Sequence, residues 1–310
     1  MTTKNFDTCT SFYLENGAFI GRIVRLNKTL KTILSKHQYP TDVSVALAET
    51  TALAALMSAM LKFNGLFTLQ IQGNGPVSLL VADVTSDGKV RSAAKFDEQK
   101  LKKAKDLRKT QDVVEALPHL VGGGYMALTV DEQNGLPPYQ GVVDLKGKNL
   151  TELALRYFKN SEQIDTVLKL FVQKSEQSVE AGGIILQKTP LKGGHANSVD
   201  DQSLSLMWED LNAFVQSLQN AEMFNDSLSN EDILYRLFHQ HALQISAEKS
   251  YAFGCRCSRE KLKNTLLSFD PKEVKALFDA NGQIEATCHF CSQKYVFNKE
   301  ELETTQKNLQ

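Results

Sequence analysis

Four of the five cysteines of this 310-residue chain stand in two close pairs near its carboxyl end. Cys255 and Cys257 form a C-x-C pair, and Cys288 and Cys291 form a C-x-x-C pair thirty residues later. Brought together by the intervening chain, two such pairs supply four thiolates, which Zn²⁺ binds tetrahedrally at about 2.3 Å. Soft sulfur ligands favour zinc over magnesium or calcium, and the usual iron–sulfur cysteine runs are spaced differently. The sequence therefore predicts one zinc ion held by these four cysteines.

A zinc ion with four protein ligands has no open coordination position for a substrate, so hydrolytic catalysis is not expected. A purely structural zinc knuckle is the plainest interpretation of such a cluster. The spacing also allows a redox role, because each pair is close enough to form a local disulfide when an oxidant removes electrons. Zinc would then leave. Since zinc contributes on the order of 10 kcal/mol to folding such a small unit, its loss should unfold the segment.

Other residues with chemical potential carry weaker signals. His289 lies within the second cysteine pair, but four thiolates already fill a zinc site, so we do not expect it to be a ligand. Cys9 has no clustered partner and is interpreted as a bystander. Apolar residues at helical spacing within the basic run over 100–109 favour a solvated helix face over an anion-binding patch. The glycine-rich stretches at 73–75 and 122–124 lack a following Lys-Ser/Thr, so ATP use is not indicated.

The composition narrows the class of protein. Hydrophobic residues make up 42% and charged residues 23% of the chain, as is typical of a soluble globular protein. The net charge of -1 provides no general attraction to nucleic acid or to an anionic membrane. The apolar stretch over 43–61 contains Glu49 and is bounded by turn signals, which predicts a buried helix. Because the amino terminus lacks a secretion signal, we expect a cytoplasmic protein with reduced thiols.

The elements that must position the cysteines begin with a β-rich region. Short β-rich runs separated by turn signals fill the chain from 12 to 187, together with helical stretches at 41–63 and 150–158. This arrangement predicts antiparallel sheet with helices packed on it, an α+β fold. The predicted strands cover residues 66–72, 77–83, 89–94, 125–130, 140–144, 166–172 and 183–187.

From about 193 to 246 the pattern becomes helical with almost no β signal. One predicted helix carries apolar residues at alternating spacings of three and four, which places them on one face. A polar break precedes a second helix, in which Ser229 and Asp232 have capping-box spacing. Apolar helical faces of this kind are usually buried against a larger domain. The faces comprise Leu204, Met207, Leu211, Phe214 and Leu218 in the first helix, which Asp200 and Asp201 are placed to cap, and Ile233, Leu234, Leu237 and Phe238 in the second.

The segments around the cysteine pairs resemble the redox-regulated heat-shock chaperones, also called the 33 kDa chaperonin family. Residues 253–260, FGCRCSRE, and 287–295, TCHFCSQKY, match the family's zinc-switch motif nearly residue for residue. All four ligand positions are present. Further matches run through the whole chain at 73–76 (GNGP), 138–141 (PYQG), 157–163 (YFKNSEQ), 181–183 (AGG) and 236–239 (RLFH).

The resemblance implies a division of the chain into three parts. These are an N-terminal α+β core domain over 1–192, a metastable helical linker over 193–246 and a C-terminal redox-switch zinc domain over 247–310. A segment as short as the last part has too little apolar core to fold easily without a metal or disulfides. The implied zinc dependence of that part therefore agrees with its size.

The resemblance also implies an activity. The protein would be a cytoplasmic, ATP-independent holdase and not an enzyme, inactive while it is reduced and zinc-bound. Oxidants would link Cys255 to Cys257 and Cys288 to Cys291, expel zinc and unfold the linker. The oxidised protein would dimerise and hold unfolding client proteins. The apolar linker faces supply the hidden surface that such binding requires.

Two other classes of protein stay open. A zinc-ribbon nucleic-acid binder is one, but residues 255–310 carry nine Lys/Arg against eight Asp/Glu and lack a basic stripe. A thiol-disulfide oxidoreductase using Cys288 and Cys291 is the other. That pair does not follow a strand in a βαβ pattern, as a thioredoxin-like motif would.

Overall fold

A computed structural model of the protein describes residues 6–106, 117–175, 178–189 and 201–302. The chain divides into two compact units, Met1–Phe253 and Gly254–Gln310. Both units combine helices with antiparallel strands, which confirms the predicted α+β class. The C-terminal zinc domain implied by the resemblance begins at 247, whereas the second of these units begins after Phe253. The metastability of the linker stays a prediction.

The strands of the first unit form two sheets. They are β1 (Thr8–Leu14), β2 (Phe19–Leu26), β3 (Leu66–Gly73), β4 (Val77–Thr85), β5 (Lys89–Phe96), β6 (Gly124–Asp131), β7 (Tyr139–Asp144), β8 (Thr166–Lys174), β9 (Val179–Lys188), β10 (Gln244–Ser250) and β11 (Ala252–Phe253). A five-stranded antiparallel sheet has the order β10-β1-β2-β9-β8. A six-stranded sheet has the order β11-β5-β4-β3-β6-β7, in which only the β11–β5 pair is parallel.

One long helix forms the core of this unit. The helices are α1 (Lys28–Leu34), α2 (Thr41–Met60), α3 (Glu98–Asp106), α4 (Leu117–Val121), α5 (Leu150–Tyr157), α6 (Asp201–Ser217), α7 (Asn220–Met223) and α8 (Asn230–Phe238). Helix α2 packs against strands of both sheets, where its many alanines permit close approach. It is long and apolar enough to cross a membrane, but 83% of its most apolar window is buried inside the protein. The predicted buried helix over 41–63 is therefore confirmed.

The helices α6, α7 and α8, called the linker helices below, cover one face of the five-stranded sheet. Phe238 stacks on Phe12 of β1 at 5.5 Å, and Trp208 stacks on Phe19 of β2 at 5.7 Å between ring centroids. Gly21 of β2 makes room for the Phe12 ring, because a Cβ there would lie 2.1 Å from that ring. The linker helices thus bury their apolar faces, as the sequence predicts.

The predicted cap of α8 is present. The Ser229 hydroxyl accepts from the Asp232 backbone N–H, and the Asp232 carboxylate accepts from the Ser229 backbone N–H. Asp200, expected to cap α6, lies outside the described residues. The basic run over 100–109 begins in α3, where Leu101 is buried, and its part beyond 106 also lies outside them.

The second unit is small. It contains α9 (Arg259–Leu267), α10 (Pro271–Ala276) and a hairpin of β12 (Gln283–Thr287) and β13 (Lys294–Asn298). Proline at the first position of α10 and the Asp270 side chain, which caps the Lys272 N–H, fix the start of that helix. The described core of the unit consists of the buried residues Leu266, Val274, Ile284, Phe297 and Leu302.

Candidate metal centre

The second cysteine pair lies in the turn of the β12–β13 hairpin. Cys288 directly follows β12, and Cys291 lies three residues before β13. The Cys288 N–H donates to the Gln293 carbonyl at 2.9 Å, and the Ser292 N–H donates to the Cys288 carbonyl at 2.9 Å. Ser292 has a positive φ of 56°, which closes the turn tightly. The turn brings the sulfur atoms of Cys288 and Cys291 into one cluster.

The first pair lies between β11 and α9. Residues two apart in extended chain project to the same side, which suits a C-x-C pair that shares one ion. Ser258 follows at once as the N-cap of α9, accepting from the Lys261 N–H at 3.2 Å. The cap fixes the chain immediately after Cys257, so both thiols of the pair are held close to a defined helix start.

All four sulfur atoms lie within 4.8 Å of one another. The Sγ atom of Cys257 is 3.4 Å from those of Cys255 and Cys291, and the Sγ atoms of Cys255 and Cys288 are 3.7 Å apart. A tetrahedral Zn²⁺ with bonds of about 2.3 Å requires sulfur atoms about 3.8 Å apart. The donor set and its spacing therefore fit one tetrahedral ion.

The surroundings of the cluster differ from thiol to thiol. Cys288 is buried and the other three cysteines are half-buried, while His289 is exposed and outside the cluster. Burial alone would raise the pKa of Cys255, but hydrogen bonds from Cys257 and from the other thiols outweigh it and lower this pKa to about 7. Burial raises the pKa values of Cys257 and Cys291. A bound cation would favour the thiolate form of every ligand.

Tyr295 on β13 is a neighbour of the cluster that sequence reasoning missed. Its hydroxyl lies 3.2 Å from the Cys257 Sγ atom, and this contact raises the pKa of Tyr295 to about 12. A neutral phenol can donate to a metal-bound sulfur and so hold the ligand in place. The sequence contained one signal for it, since Tyr295 closes the matched segment over 287–295.

The fifth cysteine belongs to the other unit. Cys9 lies on β1 and is 1% exposed. Burial raises the pKa of the Cys9 thiol to about 12, which keeps it protonated and unreactive. Within the described residues, the cluster of candidate metal ligands comprises the four predicted cysteines and does not include Cys9.

Fold and site together define a class: an α+β protein of two sheets that carries a small second unit with a four-thiol centre. The family model described as Hsp33 protein matches residues 7–298. The chain therefore belongs to the Hsp33 family.

Individual relatives agree with this assignment. The 33 kDa chaperonin of Aliivibrio salmonicida is 34% identical over 292 residues, covering 94% of this chain and 92% of the relative. The 33 kDa chaperonin of Shewanella loihica is 32% identical and covers 97% and 96% of the two chains. The crystal structure of the 33 kDa chaperonin from Thermotoga maritima matches the fold with a TM-score of 0.78 at 24% identity, covering 98% of this chain and 99% of that one. The family supports a chaperone over the zinc-ribbon and oxidoreductase alternatives.

Proposed function

We propose that this protein is a redox-regulated, ATP-independent holdase that is inactive with zinc bound and becomes active on oxidation. The single observation that carries the proposal is the convergence of four thiols in a unit with only five described buried core residues. Zinc supplies this unit with a four-way cross-link in place of a larger core. The four ligands are Cys255, Cys257, Cys288 and Cys291.

Oxidation converts the ligands into disulfides. In each pair two thiolates lose two electrons and form one S–S bond, while a peroxide accepts those electrons, its O–O bond breaks and two protons complete two waters. Neighbours pair within C-x-C and within C-x-x-C, because short loops bring their thiols together most often. Disulfide sulfurs no longer bind the ion, which leaves with its charge unchanged.

We propose that loss of the metal unfolds the second unit and that this loosens the linker helices, whose described contacts are with the five-stranded sheet of the first unit. Their release exposes two apolar surfaces: their own faces and the sheet face beneath them, which includes Phe12, Phe19 and Ile23. A large exposed apolar surface captures unfolding proteins and also favours association of two copies. We therefore propose unfolded client proteins as partners, a homodimer when oxidised, and a cytoplasmic location without nucleic acid or membrane binding.

One experiment tests the whole proposal. Zinc content and suppression of client aggregation are measured on the same sample, reduced, oxidised with peroxide, and restored with reductant and zinc. We expect one zinc per chain and no suppression at first, no zinc and full suppression after oxidation, and reversal on restoration. Peptide mapping should find Cys255 joined to Cys257 and Cys288 joined to Cys291.

Matched variants locate the effect. Cys288→Ser should weaken zinc retention, because a hydroxyl is a poor substitute for a soft thiolate, whereas Cys9→Ser should retain the metal. Full retention of zinc in Cys288→Ser would refute the ligand assignment. A predominant Cys257–Cys288 bridge in the active form would refute the pairing.

A further inference from the structure

Strand β10 is held to the five-stranded sheet mainly through its backbone. Every side chain from Gln244 to Glu248 is exposed, as is that of Ser250, and Lys249 is half-buried. Its antiparallel pairing with β1 is also irregular, with a register shift between the pairs Thr10–Glu248 and Phe12–Ile245. An element that buries so little apolar surface lies at the low end of local stability.

Strand β1, which pairs with β10, is by contrast firmly held by buried side chains. Cys9, Phe12 and Leu14 are at most 1% exposed, and β1 is also paired along its whole length with β2. If β10 leaves, β1 therefore stays in the sheet and becomes its edge. A sheet edge presents a row of unpaired N–H and C=O groups, which readily pair with another extended chain.

The chain around β10 determines how it can leave. On its carboxyl side Tyr251 is anchored, since its N–H donates to the Asp7 carbonyl at 2.7 Å and its hydroxyl donates to the Ala55 carbonyl at 2.9 Å. On its amino side β10 follows α8 after five residues. The described side-chain contact there is between the His241 Nδ1 atom and the Glu15 carboxylate, which lie 3.4 Å apart. Release of the linker helices would therefore peel β10 away from its Gln244 end.

We propose that the edge of β1 uncovered by β10 binds an extended segment of an unfolding client as a replacement strand. This inference rests on the proposed holdase function and names how that function recognises its partner. The structure itself indicates the kind of occupant, because the present one is an extended antiparallel segment whose side chains contribute almost no burial. Main-chain N–H and C=O groups are offered by any unfolded protein, so recognition through them needs no particular sequence.

The sheet face beside this edge adds a preference for apolar side chains in the bound segment. The position opposite Phe12 projects to the same face as Phe12, whose ring packs against Phe238 of α8 while the linker helices are docked. Once α8 has left, a client strand with apolar residues at every second position would bury them there. Strand β10 places Ile245 opposite Phe12 but Glu248 opposite Thr10, so a client segment with apolar residues at both positions should pair better than β10 does.

The test follows backbone amide exchange of residues 8–14 in the full-length protein. The probe is a synthetic ten-residue peptide of alternating valine and threonine, and the matched control has the same side chains with its backbone amides methylated. In the oxidised protein, exchange over 8–14 should accelerate about tenfold or more as half of the β1 amides lose their partners. The unmodified peptide should slow it again and compete with a client, and the methylated peptide should do neither.

The possible results separate this inference from the function on which it rests. If the oxidised protein suppresses aggregation while residues 8–14 stay protected, or if both peptides slow exchange equally, the strand-replacement proposal is overturned and the holdase stands. Residues 8–14 of the oxidised protein could also be protected without any peptide and lose that protection on dilution. This result would assign the edge to a second copy of the chain and would also overturn the strand-replacement proposal. An oxidised protein that holds no client would refute the holdase itself.

Discussion

The first unit buries apolar side chains in two clusters, one around α2 and one beneath the linker helices, whereas the described core of the second unit has five buried apolar residues. The large unit can be stable through burial alone, at about 25 cal/mol for each Å² of apolar surface removed from water. The small unit buries far less, and its four thiols form a cluster that could hold a metal ion. On the proposed function, this difference would make the second unit the part that responds directly to oxidants, while α2 and the strands packed around it keep their fold.

Removing zinc from the reduced protein should produce the largest effect, because structural zinc contributes on the order of 10 kcal/mol to such units. Chelation should abolish amide protection throughout 254–302. Protection in α2 should stay unchanged, because the first unit has its own core. Hydrogen exchange with mass spectrometry, before and after a chelator, measures both regions in one sample.

Restoring zinc under reducing conditions serves as the control and should return protection to the second unit. If the chelated protein kept protected amides over 283–298, the β12–β13 hairpin would fold without metal. The contrast between a first unit stabilised by apolar burial and a second unit stabilised by a metal would then fail.

Much of the first unit could be predicted from the sequence. The strands from β3 to β9 have alternating or apolar runs, most of them bounded by glycine or proline turns, and all seven are confirmed within a few residues. Two close cysteine pairs predicted the cluster, because ligand spacing is a local property of the sequence. The capping box of Ser229 and Asp232 was readable for the same reason.

The rest depends on tertiary context. The sequence of β10 has no apolar alternation, and the segment is a strand because the β1 edge offers it hydrogen bonds. The prediction of helix up to 246 is therefore wrong for residues 244–246, which belong to β10. The sequence pattern does not delimit strands β1 and β2 individually. Tyr295 and the buried Arg25 act through neighbours far away along the chain, which no local pattern reveals.

Phe238→Ala tests how firmly burial holds the linker helices to the sheet. Phe238 is fully buried and stacks on Phe12, so truncation should cost about 3–5 kcal/mol. We expect faster exchange over 201–238 and client binding at lower oxidant concentration. Tyr235→Ala on the same helix is the matched control, since Tyr235 is 65% exposed. Equal effects of the two variants would show that the apolar face of α8 does not hold it in place.

Glu49 tests the core of the first unit through pH. Burial in α2 raises the pKa of Glu49 from 4.5 to about 7, so the folded chain keeps a proton there that the unfolded chain releases. The free energy of unfolding should therefore fall as pH rises from about 4.5 to about 7, by up to about 3 kcal/mol in total. Glu49→Gln should remove this slope and be the more stable protein at pH 8.

Urea unfolding of the first unit at several pH values measures this slope. The control is Glu98→Gln, which changes an exposed glutamate at the start of α3 and should leave the slope as it is. A wild-type slope that persists in Glu49→Gln would assign the titration to another group.

The smallest effect should come from Arg25, a fully buried arginine on β2 that tests polar anchoring of the linker helices. Its guanidinium donates to the backbone carbonyls of Met223, Asn225 and Leu228 at 3.4, 3.3 and 2.8 Å. The Met223 carbonyl lies at the end of α7 and the other two in the loop before α8, where the Asn225 carbonyl also accepts from the Leu228 N–H at 3.1 Å. Each hydrogen bond from a charged group contributes about 1.5–3 kcal/mol, but the cost of burying the guanidinium offsets most of the sum, so Arg25→Met should weaken docking by a net of about 2 kcal/mol.

Exchange over 223–238 should accelerate in Arg25→Met, while α2 stays protected. Arg25→Lys should be intermediate, since an ammonium keeps the charge but cannot reach three carbonyls with a planar fork. Arg22→Met is the control on the same strand, because Arg22 donates to the Ala59 carbonyl and to its neighbour Gly21. If Arg22→Met and Arg25→Met loosened 223–238 equally, the effect would be general destabilisation of β2. A change confined to Arg25 would mean that the linker helices are held at their ends by hydrogen bonds as well as along their faces by burial.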